Sequence, residues 1–209
     1  MTIKLGVLIS GSGTNLQAII DCIAAGTLDA TVEVVISSRP DAYGLKRAEA
    51  AGIQTVALSR EVYKDPLEAD AAIVAMLREH DVEYVAMAGY MRMCTPVLLD
   101  AYRDRVINLH PALLPSFPGA HAIADALAHG VKVTGVTVHF ANAVYDDGPI
   151  IAQQAVPVEE YDTEDSLATR IHEVEHVLYP AALQLVAQGR VSIECDDSGR
   201  RVVRIAPEE

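Results

Sequence analysis

Ile3-Lys-Leu-Gly-Val-Leu-Ile-Ser-Gly-Ser-Gly-Thr-Asn-Leu-Gln-Ala-Ile19 decides the fold class. Residues 3–9 form a nearly unbroken apolar run, broken by Lys4 and Gly6. A strand with one wet face alternates, whereas a strand buried on both faces, as in a parallel sheet, does not. Leu16, Ile19, Ile20 and Ile23 then recur at helical spacing. Strand, glycine-rich turn and helix together open a βαβ unit.

The turn carries chemistry as well as direction. Gly11 and Gly13 allow a ligand close to the backbone, and N–H groups at a helix start favour an anion, usually phosphate. Ser12, Thr14 and Asn15 add side-chain donors. A dinucleotide fingerprint would need glycine at Leu16 and an acid where Ser37, Ser38 and Arg39 stand; a Walker loop would need Gly-Lys-Ser/Thr. The pattern favours a phosphomonoester, with a plain tight turn as the alternative.

The same alternation of element types continues. Residues 31–36 read as a strand, 42–51 as a helix closed by Gly52, and 54–58 as a strand. Residues 64–81 read as a helix with Pro66 in its first turn and Leu67, Ala71, Val74 and Leu77 along one face. A fourth strand at 83–88 and a fifth ending at His110 follow, then a helix over 121–130. Residues 132–140 and 150–158 alternate, and read as an antiparallel pair at the sheet edge. Asp162 to Asp165 make an acidic helix start, Leu167, Ile171, Val174 and Leu178 its apolar stripe, and Pro180 is expected to kink or break it. Residues 191–195 and 202–205, around Asp196-Asp-Ser-Gly199, read as a terminal hairpin. The expectation is an α/β fold in one domain over 1–209. It comprises a phosphate-binding half (1–100), a second half (101–190) and the hairpin tail (191–209).

Bulk properties exclude several classes. With 51% hydrophobic residues the 209-residue chain can bury one sizeable core. A net charge of −13 argues against a nucleic-acid or anionic-membrane partner. No run is long enough to span a bilayer, and the N-terminus reads as a strand rather than a signal peptide. Cys22, Cys94 and Cys195 lack disulfide or metal spacing, so a reduced, cytoplasmic setting is expected, with no metal.

Ligands in open parallel sheets sit beyond the carboxyl ends of strands. Three such ends, 11–15, 89–94 and 108–119, place the site between the first, fourth and fifth strands. Asn108 and His110 lie two apart, so an extended backbone aims both to one side with Leu109 opposite. Pro111, Pro115 and Pro118 stiffen the loop beyond. If Asp146 reaches His110, it favours the imidazolium, and imidazolium beside an amide donor is an oxyanion-stabilising pair. No serine or cysteine is placed as nucleophile, Cys94 reading as a wall residue, so the nucleophile belongs to a substrate such as an amine. Read alone, His110 is a loop histidine capping a carbonyl, Asp146 an Asx-turn residue and His139 a packing or hydrogen-bonding residue. His172 and His176 suit a solvated helix face better than a metal pair.

Ser10-Gly-Ser-Gly-Thr-Asn-Leu-Gln-Ala-Ile19, Ala88-Gly-Tyr-Met-Arg92, Asn108-Leu-His-Pro-Ala-Leu-Leu-Pro115, Phe117-Pro-Gly119, Gly135-Val-Thr-Val-His139 and Asp146-Asp-Gly-Pro-Ile150 stand in a recognisable order. From residue 3 to about 190 the chain resembles the phosphoribosylglycinamide formyltransferases, a branch of the folate-dependent formyltransferases. The resemblance implies a Rossmann-like three-layer fold. Its sheet has seven strands, mostly parallel with one antiparallel, and helices on both faces. It implies formyl transfer from 10-formyltetrahydrofolate to glycinamide ribonucleotide in purine synthesis, by a monomer or homodimer whose partners are small molecules. Asn108, His110 and Asp146 match the catalytic trio. Gly13, Thr14 and Asn15 match the phosphate loop, and Gly89, Pro111, His172 and Glu175 further substrate contacts. Met91, Arg92, Met93 and Cys94 match the folate loop, with Asn142, Ala143, Val144, Tyr145 and Asp146 closing over the pteridine. Arg92 becomes the partner of the folate's glutamate carboxylate. A basic residue that the family carries near the folate tail falls here on Pro66, leaving Lys64 as the nearest cation. His172 stands where glutamine is common, and the Leu114–Pro115 bond is expected to be cis.

Other members of the wider family are less well matched. Methionyl-tRNA formyltransferase has an added C-terminal domain and a basic surface, and formyltetrahydrofolate deformylase an added N-terminal domain. A non-catalytic nucleotide-binding module, or an NADP-dependent reductase using Arg39, conflicts with Leu16.

Overall fold

A computed structural model describes residues 2–208. β1 (Ile3–Ile9), β2 (Ala30–Ser37), β3 (Gln54–Ala57), β4 (Tyr84–Met87) and β5 (Val106–His110) run parallel. β6 (Val133–Phe140) is antiparallel to β5, and β7 (Ile150–Pro157) is antiparallel to β6. The sheet order is β3-β2-β1-β4-β5-β6-β7, so β6 alone runs against the other six. β8 (Val191–Cys195) and β9 (Arg201–Ile205) form a separate antiparallel hairpin.

Helices cover both faces. On one lie α1 (Thr14–Ala24), α2 (Tyr43–Ala50) and α7 (Glu164–Ala187), whose Leu16, Ile19, Leu45, Ala48, Tyr179 and Leu183 pack with Leu5, Val7, Ile9 and Ile107. On the other lie α3 (Arg60–Lys64), α4 (Pro66–Glu79) and α5 (Pro96–Ala101), where Ile73, Leu77 and Leu98 meet Leu8, Val34, Val85 and Val106. Successive residues of β1 thus feed opposite cores, which is why its apolar run is continuous. α6 (Ala122–Ala128) packs with the start of α7 over β6 and β7.

Two expectations are corrected. The buried face of α4 is Ala69, Asp70, Ile73, Val74 and Leu77, while Leu67 and Ala71 are exposed. Asp65 caps this helix by accepting from the Leu67 and Glu68 N–H groups, which turns Leu67 outward in the first turn; the residues just before it form α3, capped by Ser59. α7 also runs through Pro180 without a break. An interior proline costs about 3 kcal/mol. Burying a large apolar side chain returns about 1.5–3 kcal/mol, and Leu167, Ile171, Leu183 and Val186 are buried on the two sides of it. The Leu114–Pro115 bond is cis. Among the described residues no helix is long and apolar enough to cross a membrane.

Candidate active site

The sheet order brings the carboxyl ends of β1, β4 and β5 side by side. Beyond β1, Gly13 adopts φ 71° as the N-cap of α1, and no side chain caps that helix. Its first-turn N–H groups have no partners within the helix. A Cβ at Gly13 would lie 2.5 Å from the Gly44 Cα, so loop and α2 touch backbone to backbone. Arg47 Nε donates to Ser12 O at 2.9 Å. The loop lines a cavity of about 420 Å3 with Arg39, Gly89, Leu109, Pro111, His172 and Glu175. Asn15 Nδ2 donates to Glu175 Oε2, leaving Asn15 Oδ1 buried without a protein partner. Burial pushes the Glu175 carboxyl up, against the opposing pull of Asn15 and His172.

Ser10 ties this loop to its neighbours. Its hydroxyl pairs with that of Ser38 at 2.7 Å and accepts from the Met91 N–H at 3.0 Å. The loop after β1 and the 91–94 segment are thereby held in one register.

On the opposite face of β5 stand Asn108 and His110, as the alternation requires. Asp146 Oδ2 lies 3.4 Å from His110 Nδ1, and His110 Nε2–H donates to Phe117 O at 2.8 Å. His110 therefore caps a carbonyl and meets Asp146 at once. Both neighbours are acceptors and favour a second proton, but burial opposes it and prevails, leaving the His110 pKa below 6.5. The expectation of a net upward shift is corrected in sign: the pairing exists, and the ring is nonetheless neutral at pH 7. Burial pushes the Asp146 carboxyl up, but His139, the Gly119 N–H at 2.8 Å and His110 hold it below its usual value. Asp146 and Phe117 both sit at φ 53°, a left-handed conformation costing a non-glycine residue about 1–2 kcal/mol.

His139 belongs to this cluster. It lies directly opposite Asn108 across the β5–β6 ladder. Asn108 Nδ2 donates to His139 Nε2 at 3.1 Å, and His139 Nδ1–H donates to Phe140 O at 3.0 Å. His139 Nε2 also lies 3.7 Å from Asp146 Oδ1. A Cβ at Gly148 would run into the Phe140 carbonyl, so the 142–148 turn packs against this pair.

The 91–94 and 142–146 segments meet over Asn108 and His139 around a slot of about 30 Å3, close to the volume of one water. Burial pushes the Cys94 thiol up to about 12, which makes it a wall and not a nucleophile. Outside the slot a wider cavity of about 710 Å3 is lined by Tyr63, Leu67 and residues 91–96. Met91, Met93, Leu67, Val144 and Tyr145 expose apolar surface around it. Arg92 stacks on Tyr63 at 3.7 Å, with a buried Nη1 that has no partner. Lys64 lines neither space; α3 carries it to a separate cavity beyond Tyr63. Asn142 Oδ1 accepts from the Val144 N–H at 3.0 Å, shaping the turn. His172 is exposed at the mouth of the cavity beside Gly13 and Glu175 and stacks with His176 at 6.5 Å. All three cysteines are free, and among the described residues no three His, Cys, Asp or Glu side chains group as metal ligands.

Residues 3–183 match the family model described as formyl transferase. The phosphoribosylglycinamide formyltransferase of Bacillus subtilis is 41% identical over 181 residues, 87% of this chain and 93% of that protein. The human trifunctional purine biosynthetic protein adenosine-3 is 44% identical over 190 residues, 91% of this chain; the chain spans only 19% of that relative's length. The crystal structure of glycinamide ribonucleotide transformylase 1 from Symbiobacterium toebii superposes with a TM-score of 0.94 at 49% identity, covering 99% of this chain and 95% of that one. The matched span takes in all seven strands of the main sheet and most of α7, and the chain belongs to the formyl transferase family.

Proposed function

We propose that this chain transfers the formyl group of 10-formyltetrahydrofolate to the glycinamide amine of 5-phosphoribosylglycinamide, a step of purine synthesis in the cytoplasm. One observation carries the reading. The Asn108–His110–Asp146 cluster sits between an anion-friendly cavity at the start of α1 and an apolar slot ending at an unpartnered guanidinium. A phosphorylated acceptor suits the first, and a folate donor the second together with the wider cavity outside it.

The amine attacks the formyl carbon. Its carbonyl oxygen takes up charge and accepts hydrogen bonds from Asn108 Nδ2–H and from His110 Nε2–H once the latter leaves Phe117. The new C–N bond costs the amine one proton, and N10 of the folate gains one as the old C–N bond breaks. Asp146, ionised at neutral pH, is placed to steady positive charge as that proton moves past the imidazole. Positioned donors aimed at a developing oxyanion supply about 10²–10³ in rate each. Asn15 Oδ1, fixed by Glu175, offers an acceptor to a hydroxyl of the sugar, and Arg92 meets a carboxylate of the folate. We take the partners to be these two small molecules, with no nucleic acid or metal, and the working unit to be a monomer or homodimer.

The deciding assay supplies the formyl donor with and without glycinamide ribonucleotide. Donor consumption that requires the acceptor supports transfer. Formate release at the same rate without acceptor would convert the reading to a hydrolase, and no consumption in either case would overturn it.

A further inference from the structure

The loop after β1 is held from behind by its carbonyls. Gly44 N–H donates to Gly11 O at 3.0 Å, Arg47 Nε–H to Ser12 O at 2.9 Å, and Gln17 N–H to Gly13 O at 2.9 Å. Three successive carbonyls are thus drawn toward α2 and α1. The C=O and N–H of a planar trans peptide point in opposite directions, and none of these peptides is cis. Fixing the three carbonyls therefore turns the N–H groups of Ser12, Gly13 and Thr14 the other way. None of the three N–H groups makes a hydrogen bond among the described residues, and all three residues line the cavity beside Gly89 and Glu175. Successive N–H groups turned to one side form an anion-binding nest.

Of the three donors, only Arg47 is a side chain and only Arg47 is charged. Its guanidinium does not line that cavity; it lies in a separate groove with Thr14, Gln17, Cys22 and His176. Three neighbours hold it: Ser12 O, Gln17 Oε1 at 3.3 Å, and the Tyr43 ring, whose centroid is 5.1 Å from the guanidinium carbon. Gln17 is itself fixed, donating to Asp21 at 2.9 Å. A hydrogen bond from a cation is roughly twice as strong as a neutral one. It also polarises the peptide it holds, which makes the Gly13 N–H at the far side of that peptide a better donor. We infer that Arg47 is a positioning residue for the acceptor's phosphate: it fixes the Ser12–Gly13 peptide so that its N–H, with those on either side, meets the anion. The inference rests on the formyl-transfer reading for the identity of the anion. It goes beyond that reading in giving phosphate recognition a residue that stands outside the cavity.

The test compares Arg47→Met with the wild-type chain. Methionine keeps an unbranched stem and suits a helix, so the variant is expected to fold. KM for glycinamide ribonucleotide should rise about tenfold, the size of one hydrogen bond to a charged group, with kcat and KM for the folate donor within about twofold of wild type. The Kd for ribose 5-phosphate, read by calorimetry, should rise by the same factor. A charge acting only at a distance is screened at about 1 M salt, where the Debye length is about 3 Å, so the ratio of the two Kd values should persist there. An acceptor KM close to wild type, a donor KM raised as much as the acceptor's, or a Kd ratio that falls to one in salt overturns the inference and leaves the transfer reading intact. If neither chain turns over, the transfer reading fails instead, and the ribose 5-phosphate Kd applies the same criterion to Arg47. Should Arg47→Met not fold, Arg47→Lys takes its place. Lysine keeps the charge but has no donor at the Nε position, so a Kd for ribose 5-phosphate raised by roughly threefold or more is expected, and a smaller rise overturns the inference.

Discussion

Asn15 Nδ2 donates to Glu175 Oε2 at 2.9 Å, a buried bond that joins the first turn of α1 to α7 across 160 residues of chain. The bond fixes the orientation of the Asn15 amide, leaving its Oδ1 buried without a protein partner among the described residues.

Glu175→Ala should leave the Asn15 amide unpaired at a cost of about 1–3 kcal/mol, and raise KM for the phosphorylated acceptor more than it lowers kcat. Urea unfolding and initial rates measure the two. Glu175→Gln has a pH signature. The native carboxyl is raised above 4.5 by burial, so its contribution to stability is full below that value and is lost as pH rises through the folded pKa. The melting temperature of Glu175→Gln relative to wild type should therefore increase between pH 4 and 7. A constant offset would show that the carboxyl is not perturbed.

Asp146→Asn should lower activity by about 10²-fold or more. Removing the carboxylate removes the group that holds the His110 pKa up, so the imidazole should titrate still further below 6.5. Histidine titration by NMR reads this directly, and an unmoved His110 signal would reject the contact. In the wild type, neutral His110 is kept as pH falls to 6.5 and protonated only below it. The native state should lose stability across that window, because the unfolded chain takes up the proton first.

Gly13→Ala and Gly26→Ala form a matched pair. Both glycines adopt φ 71°, but an added Cβ at Gly26 meets nothing within 4 Å, while one at Gly13 lies 2.5 Å from the Gly44 backbone. Gly26→Ala should cost about 1–2 kcal/mol of left-handed strain. Gly13→Ala should cost clearly more and weaken binding of the phosphorylated acceptor. Equal losses in denaturant melts would show that the loop yields without penalty.

Arg92→Ala should raise KM for the folate donor about tenfold, the size expected for one hydrogen bond to a charged group, with little change in KM for the acceptor. Lysine should restore only part of it, since it lacks the planar fork that matches a carboxylate. An unchanged donor KM would place the carboxylate elsewhere.

Much of this fold was readable in the chain, for physical reasons that also explain the failures. Residues 3–9 announce a doubly buried strand because two helical layers need apolar residues on both of its faces. β6 and β7 alternate enough to be seen as an edge pair. Leu67 and Ala71 face outward because α4 packs on the sheet through Ala69, Ile73, Val74 and Leu77, a stripe that spacing alone leaves shifted by part of a turn. Pro180 looked like a break because local propensity says nothing of the packing that overrides it. At the site, Asn108, His110 and Asp146 could be grouped from their types and loops. The sign of the His110 shift could not, because it depends on burial under the 117–119 segment. His139 reads as a packing or hydrogen-bonding residue, but its partner Asn108 comes from cross-strand register, which alternation does not report.

The hydrogen bond from His110 Nε2 to the Phe117 carbonyl has one further consequence. The imidazole does not wait idle: its N–H is already satisfied by a neutral acceptor of the chain's own. A formyl oxygen in the bound donor is another neutral acceptor, and trading one for the other gains almost nothing. An oxyanion is different, since hydrogen bonds to a charged oxygen are roughly twice as strong. The exchange turns favourable only as the carbon becomes tetrahedral, so this internal competitor acts as a threshold that withholds the imidazole from the ground state and releases it to the transition state.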